Sequence, residues 1–437
     1  MFDGEIALLA WSDYVGVTRC RGVPAESVAS RMANGLGWAV AGQALTPFAG
    51  IAPNPWGPLD EVRQIPVADT VTRVDIWDDA PPFHMYLCDS RSADGSDWDC
   101  CTRAFMRRAL DDLKAETGLD LLAAFEHEFT VMSDDLEFAA PFSVGAIRGV
   151  APFASDLARA LGQAGVEPET IEPEYGIQQF EVTTAPALGA ASGDRAIITR
   201  EVIREVARRR GLGVTFSPKP SPDGVGNGAH VHFSLVDRHG GNATFDPAGE
   251  GGASEVAAHF IAGVVRHMRA LTAFVAPSPV SYLRLGPHHW SCGFASFGIQ
   301  NREAAIRICP STDPDLDRRA RTYNLEFRPP DPTASPYMVI GALVRAGLEG
   351  IRERLSLPAN CDRDPADLTP AERAKLGIVP LPESLGEALD ALMDDELARG
   401  WMPPTMLESY LSVKRTEIAL AAGQTSDQVC AEYAKAY

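Results

Sequence analysis

Two glutamates interrupt an apolar run at residues 121–132, LLAAFEHEFTVM. The run reads as one strand from Leu121 to Met132. Side chains alternate across a strand, so Glu126 and Glu128 share one face and His127 points to the other. On a face turned to the core, two carboxylates repel each other and lose hydration unless a cation joins them. On a solvent-facing edge they would be an ordinary exposed pair. The run thus asks for either an edge strand or a cation site.

Three further stretches repeat the theme. In GNGAHVHFS (226–234), His230 and His232 share a strand face after a glycine-rich turn. Such a pair suits a divalent metal or a phosphate, or two satisfied core histidines. In EYGIQQFE, Glu174 and Glu181 flank a bend, which is also what an acidic loop would show. NREAAIR (301–307) and NLEFRPPDP (324–332) set Arg302, Arg307 and Arg328 near Glu326. Clustered arginines with carboxylates fit a site that holds anionic phosphates with metals, and singly they fit surface ion pairs.

The remaining texture is mixed. Residues 1 to about 95 hold short apolar runs cut by Gly and Pro, which reads as a small strand-rich domain. Asp89–Asp99 looks like a linker or exposed loop. Helices are expected at 100–117, 151–164, 194–210, 254–272, 335–354 and 383–398, and strands at 178–184, 212–216, 229–236, 304–309 and 323–328. This is an α+β chain, with domains expected at 1–97 and 98–437.

Composition removes several functions. The 39 basic and 59 acidic residues give −20, a surface that repels nucleic-acid backbones and anionic lipid. No apolar run approaches about 18 residues, so no membrane helix is expected. Asp3, Glu5 and Asp13 in the opening stretch do not fit a signal peptide. Eight scattered cysteines without a CxxC pair fit free thiols and a cytoplasmic location. GxxxxGK[ST] and GxSxG are absent, and GxGxG at 224–228 has the wrong spacing for a dinucleotide fold.

In order, FEHEF, EYGIQQFE, VTFSPKP with GNGAHVHFSL, NREAAIRI and LEFRPPDPTASPY resemble the glutamine synthetase superfamily. The resemblance is good over about 120–350 and loose elsewhere. It implies an N-terminal β-grasp domain and a catalytic domain whose curved antiparallel sheet forms a funnel. It implies ATP and two Mg²⁺ or Mn²⁺ ions per site. On that pattern Glu128, Glu174 and Glu181 hold one metal, and Glu126, His230 and Glu326 the other. Arg284 grips the substrate α-carboxylate, with Gly226 beside the substrate. Arg302 and Arg328 flank the glutamate and the transferred phosphate; Arg307, His232 and Lys219 lie on the nucleotide. Glutamate, an amine and ATP are the implied substrates, and rings of subunits, as a dodecamer, the implied assembly.

The departures from the pattern carry the specificity. Ammonia-using members have a flap glutamate that binds ammonium, and here that position is Trp290. Their N-terminal D-G-S-S segment has no counterpart; Phe2-Asp3-Gly4 comes too early. A flap tryptophan resembles the γ-glutamylpolyamine and γ-glutamylamide synthetase branch, where the acceptor is a primary amine larger than ammonia. His288 or His289 could take its proton. An asparagine expected near the substrate amino group is Val225, with Asn227 two residues on, and an ATP-side arginine is Asn324. Ordinary glutamine synthesis and a noncatalytic scaffold are the alternatives.

Overall fold

The computed structural model describes residues 4–311 and 313–437. Phe2 and Asp3 of the early FDG lie outside them.

The first six strands are β1 (Ile6–Ser12), β2 (Thr18–Pro24), β3 (Leu36–Ala39), β4 (Glu61–Pro66), β5 (Thr72–Val74) and β6 (Phe83–Arg91). They form a mixed sheet in the order β2-β1-β6-β4-β3, with β5 also on β6 and a central parallel β1–β6 pair. The short helix Val28–Asn34 closes it through Val28, packed with Ala7, Leu9, Val23 and Cys88.

The expected linker is exposed only in part, in the turn at residues 93–96. Asp89 and Ser90 belong to β6, and both are buried with Trp98. The reason is charge. Asp89 Oδ1 accepts from Arg103 at 2.8 Å, and Arg103 also pairs bidentately with Asp194 at 2.9 Å. Tyr337 donates to the same Asp194 at 2.7 Å. Arg103 thereby ties the first sheet to the helices Thr102–Thr117, Ala190–Arg209 and Pro336–Glu353. Arg103→Ala should cost about 3–5 kcal/mol in denaturant unfolding, because two carboxylates stay buried without their cation. A loss below about 1 kcal/mol would reduce the network to decoration.

In the second part of the chain the FEHEF run is not one strand. It is two, β7 (Asp120–Phe125) and β8 (His127–Met132), split at Glu126 and belonging to different sheets. The other strands are β9 (Pro168–Pro173), β10 (Gln179–Thr184), β11 (Ala187–Leu188), β12 (Gly213–Thr215), β13 (Val231–Val236), β14 (Phe294–Ala295), β15 (Phe297–Ile299), β16 (Ile306–Ile308), β17 (Leu325–Phe327) and β18 (Val379–Pro380). One sheet runs β12-β8-β10-β9; the other runs β11-β7-β13-β17-β16-β15. The 228–230 segment joins them, since the Glu126 N–H donates to His230 O at 2.9 Å and the Glu128 N–H to Gly228 O at 3.1 Å. The chain turns from one sheet into the next at the glutamates themselves, and the surface curls there into a half-barrel.

Helices fall where expected at Thr102–Thr117, ended by Gly118 in the left-handed region (φ 73°), and at Pro336–Glu353. The expected 254–272 helix breaks at His267 into Glu255–Arg266 and Met268–Val275. Two long C-terminal helices, Pro404–Ala421 and Ser426–Ala436, had no counterpart in the sequence reading. No helix among the described residues is long and apolar enough to cross a membrane, and the cysteines are free thiols.

Candidate active site

Strand register builds the site. In the first sheet Glu181 stands directly opposite Glu128 on β8 and opposite Glu172 on β9. In the second, Glu326 stands opposite His232 on β13 and Arg307 on β16. Glu126 and His230 occupy the seam between these two rows. Like charges directly opposite on a sheet destabilise it. The acidic row therefore persists only if something positive completes it.

The shifts follow the same division. Burial, then Glu126 and Glu128, push the Glu181 carboxyl up to about 10. Burial and Glu128 push Glu174 up to about 7. Across the seam, burial would raise Glu126 too, but His232 and His230 outweigh it and hold that carboxyl well below the usual range. His232 Nε2 lies 2.9 Å from Glu126 Oε1, and His230 Nδ1 lies 3.3 Å from Glu126 Oε2. Burial and Arg328 push His230 down, which favours the neutral imidazole that a metal ligand needs.

These residues fit divalent metal. Ligand atoms of Glu126, Glu181 and His230 lie within 4.8 Å of one another, as do those of Glu172, Glu174 and Glu181 and those of His232, Cys309 and Glu326. The first two sets are carboxylate-rich with at most one imidazole, a hard-cation environment. Glu128 is preset beside them, its Oε2 accepting from the Gly228 N–H at 2.7 Å and from Gln179 at 3.3 Å. The positive charge that the sheet register calls for is supplied when such an ion binds.

Arginines surround the seam. Glu326, fully buried, pairs with both Arg307 and Arg328. Arg284 is buried, donates to Pro329 O at 3.0 Å and approaches His230 Nε2 at 3.2 Å. Gly226 and Gly228 lie against it, where a Cβ would sit 2.8 Å and 2.6 Å from its side chain. Lys219 is buried near Cys430, Asp223 and Arg284, and burial pushes its ammonium down. His232 meets Asn324 at 2.8 Å and Cys309 at 3.5 Å. Arg302 is exposed and has no ion-pair partner among the described residues.

The chain belongs to the glutamine synthetase family. The family model described as glutamine synthetase, catalytic domain, matches residues 99–433, and that for the glutamine synthetase N-terminal domain matches 5–98. A gamma-glutamylpolyamine synthetase of Streptomyces coelicolor is 33% identical over 436 residues, covering 98% of this chain and 92% of that protein. A glutamine synthetase of Pyrococcus furiosus is 30% identical over 408 residues, covering 91% and 87%. Among solved structures, a novel glutamine synthase homolog superposes with a TM-score of 0.91 at 40% identity, covering 99% and 98%. An ADP complex of GmaS superposes at 0.81 with 26% identity, covering 96% and 94%. The protein is a carbon–nitrogen ligase of this family, whose members use ATP and divalent metal ions.

The segment that the sequence aligns with the flap runs over residues 284–292. His288, Trp290 and Cys292 all take positive φ (63°, 52° and 65°), which side chains with a Cβ rarely adopt. Polar anchors hold that shape. Ser291 donates to Arg284 O at 2.8 Å, Arg328 donates to Trp290 O at 2.6 Å, and the Trp290 N–H donates to Glu303 Oε1 at 2.9 Å. The Trp290 ring is left 61% exposed. His289 Nδ1 lies 3.3 Å from Arg284 O, and His288 Nδ1 lies 2.8 Å from Asp364.

Asn227 does not stand in for the asparagine missing at Val225. It is fully buried, donating to Ser217 O at 2.9 Å and accepting from Gln179 at 3.0 Å, while Val225 is exposed. The N-terminal aromatics pack within the chain: Trp11 on Trp38, Phe48 on Tyr433 and Trp56 on Trp98. The sequence reading gave no role to Gln179, Glu172 or Glu303. Glu303 was visible inside NREAAIR, but nothing local to that motif says that it faces the flap.

Proposed function

We propose that this protein joins the γ-carboxylate of glutamate to a primary amine other than ammonia, through a γ-glutamyl phosphate. The observation that carries the reading is Trp290. An exposed indole occupies the flap position where the ammonia-using pattern has a glutamate. An aromatic face contacts an alkyl or aryl amine and attracts a cation, whereas ammonium is small and needs a carboxylate. The name of the Streptomyces relative points the same way.

In this reading the γ-carboxylate attacks the γ-phosphate of ATP, ADP leaves, and the amine then displaces phosphate. Arg284 holds the α-carboxylate of glutamate beside Gly226. Arg307 and Arg328, oriented by Glu326, spread the charge of the transferring phosphoryl group, with Arg302 swinging in from the surface. His232 and Lys219 serve the nucleotide. His289 takes the proton of the amine. Two Mg²⁺ or Mn²⁺ ions would be held by Glu128, Glu174 and Glu181 and by Glu126, His230 and Glu326, and would supply positive charge for the phosphate oxygens. The subunits assemble into rings.

The test is phosphate release with ATP, Mg²⁺ and glutamate against a panel of amines including ammonia, the amide being identified by mass spectrometry. Higher kcat/KM for an organic amine is the expected result. A preference for ammonia would sink the reading of Trp290. Turnover only with a donor other than glutamate would trace to Val225.

A further inference from the structure

Glu303 is a buried carboxylate, 7% exposed, that makes no ion pair within 4.0 Å among the described residues. Its Oε1 accepts one hydrogen bond, from the Trp290 N–H at 2.9 Å, and its Oε2 accepts none among the described residues. The nearest guanidinium, Arg328, is already committed to Glu326 and to Trp290 O. Asp364 lies in the same pocket and is engaged by His288 at 2.8 Å. Burial pushes the Glu303 carboxyl up, Asp364 adds to this, and the Trp290 N–H, Arg328 and His288 do not offset it. A buried carboxylate in this state is stabilised by a proton or by a cation placed against it.

Its position gives the cation an identity. Glu303 touches the backbone of the residue that replaces the ammonium-binding glutamate of the flap. It also neighbours Arg328, which reaches the phosphoryl-transfer centre through Glu326. We propose that Glu303 holds the ammonium group of the acceptor amine, so that the negative charge lost from the flap at Trp290 is supplied from beneath it by the NREAAIR segment. The indole then covers the carbon chain and Glu303 the charged nitrogen, which selects cationic amines over neutral ones. This rests on the proposed ligase reading.

Glu303→Gln separates charge from scaffolding. Glutamine can still accept from the Trp290 N–H, so a merely structural role would be rescued by Gln and lost only in Glu303→Ala. Steady-state kinetics on the full-length protein would vary 1,4-diaminobutane, methylamine and ammonium in turn, with ATP, Mg²⁺ and glutamate saturating. The expected result is a rise of about 30-fold or more in the KM of the amine that is used, alike in Gln and Ala, with the KM of glutamate and ATP unchanged. An amine KM in Glu303→Gln equal to wild type would overturn the assignment. If the wild type uses only ammonium and Glu303→Gln raises its KM, Glu303 stands and the organic-amine reading falls. Turnover with no amine would overturn both.

Discussion

Glu181→Gln should abolish metal-dependent ADP formation and, without metal, leave the protein at least as stable as the wild type. The argument starts from the register: Glu181 faces Glu128 and Glu172 across two strand pairs. Its carboxyl, pushed up to about 10, carries a proton at neutral pH when no cation is bound. Glutamine imitates that protonated form, so the metal-free fold loses nothing. The metal, however, needs the ionised oxygen. Turnover should fall on the order of 10³-fold, matching several kcal/mol of lost charge stabilisation. The rise in Tm on adding Mg²⁺ should vanish as well.

The same shift fixes a pH dependence. A carboxyl raised in the fold binds more protons there than in the unfolded chain, so stability falls as pH rises from its ordinary value, 4.5, toward 10. Metal-free wild type should therefore unfold more readily at pH 8 than at pH 6. Mg²⁺ should flatten that slope, and so should Glu181→Gln. Thermal unfolding with EDTA and with Mg²⁺ reads all of this. A metal-free profile that is flat in the wild type would remove Glu181 from the metal site. Glu128→Ala is the companion. It should also abolish turnover, and retained activity in both variants would remove the proposed site altogether.

Trp290→Glu should move acceptor preference toward ammonia, changing the ratio of kcat/KM values by about 10²-fold. The backbone there already takes positive φ and is pinned by Glu303 and Arg328, so the exchange alters the group presented and leaves its placement alone. A new carboxylate beside Glu303 and Asp364 would be pushed up by like charge and lose part of its pull on ammonium. The shift should therefore be larger in the double variant Trp290→Glu/Glu303→Gln. An unchanged amine profile in both variants would place acceptor choice elsewhere, in the N-terminal domain.

Much of the site was legible because its chemistry is local. FEHEF, HVH and EFR each set polar groups two residues apart in an apolar context, which is enough to mark the residue types that gather there. What was not legible was the break at Glu126. The apolar run is continuous, and only the hydrogen bonds to His230 and Gly228 show the chain changing sheets. In the Asp89–Asp99 stretch the turn at 93–96 is exposed as expected, but the burial of Asp89 was not legible, because Arg103 and Arg107 reach it from outside the stretch. The helix Pro404–Ala421 escaped notice because its core-facing side carries Ser409, Lys414 and Glu417, so apolar periodicity is weak. Lys414 and Glu417 pair at 2.8 Å, both buried, and Tyr433 donates to the same glutamate.

The amino-acid sequence determined the strand faces, the family and the chemical types gathered in the site, because these depend on spacing along one backbone. Tertiary structure alone decided which carboxylates go without an ion pair. Glu181 and Glu303 look alike as letters. One stands in a row of like charges across three strands, and the other, near Asp364, accepts from the Trp290 N–H without an ion pair among the described residues. That difference is set by strand register and by the path of a loop, which bring together groups far apart in the chain, and electrostatic energy depends on those distances and on burial.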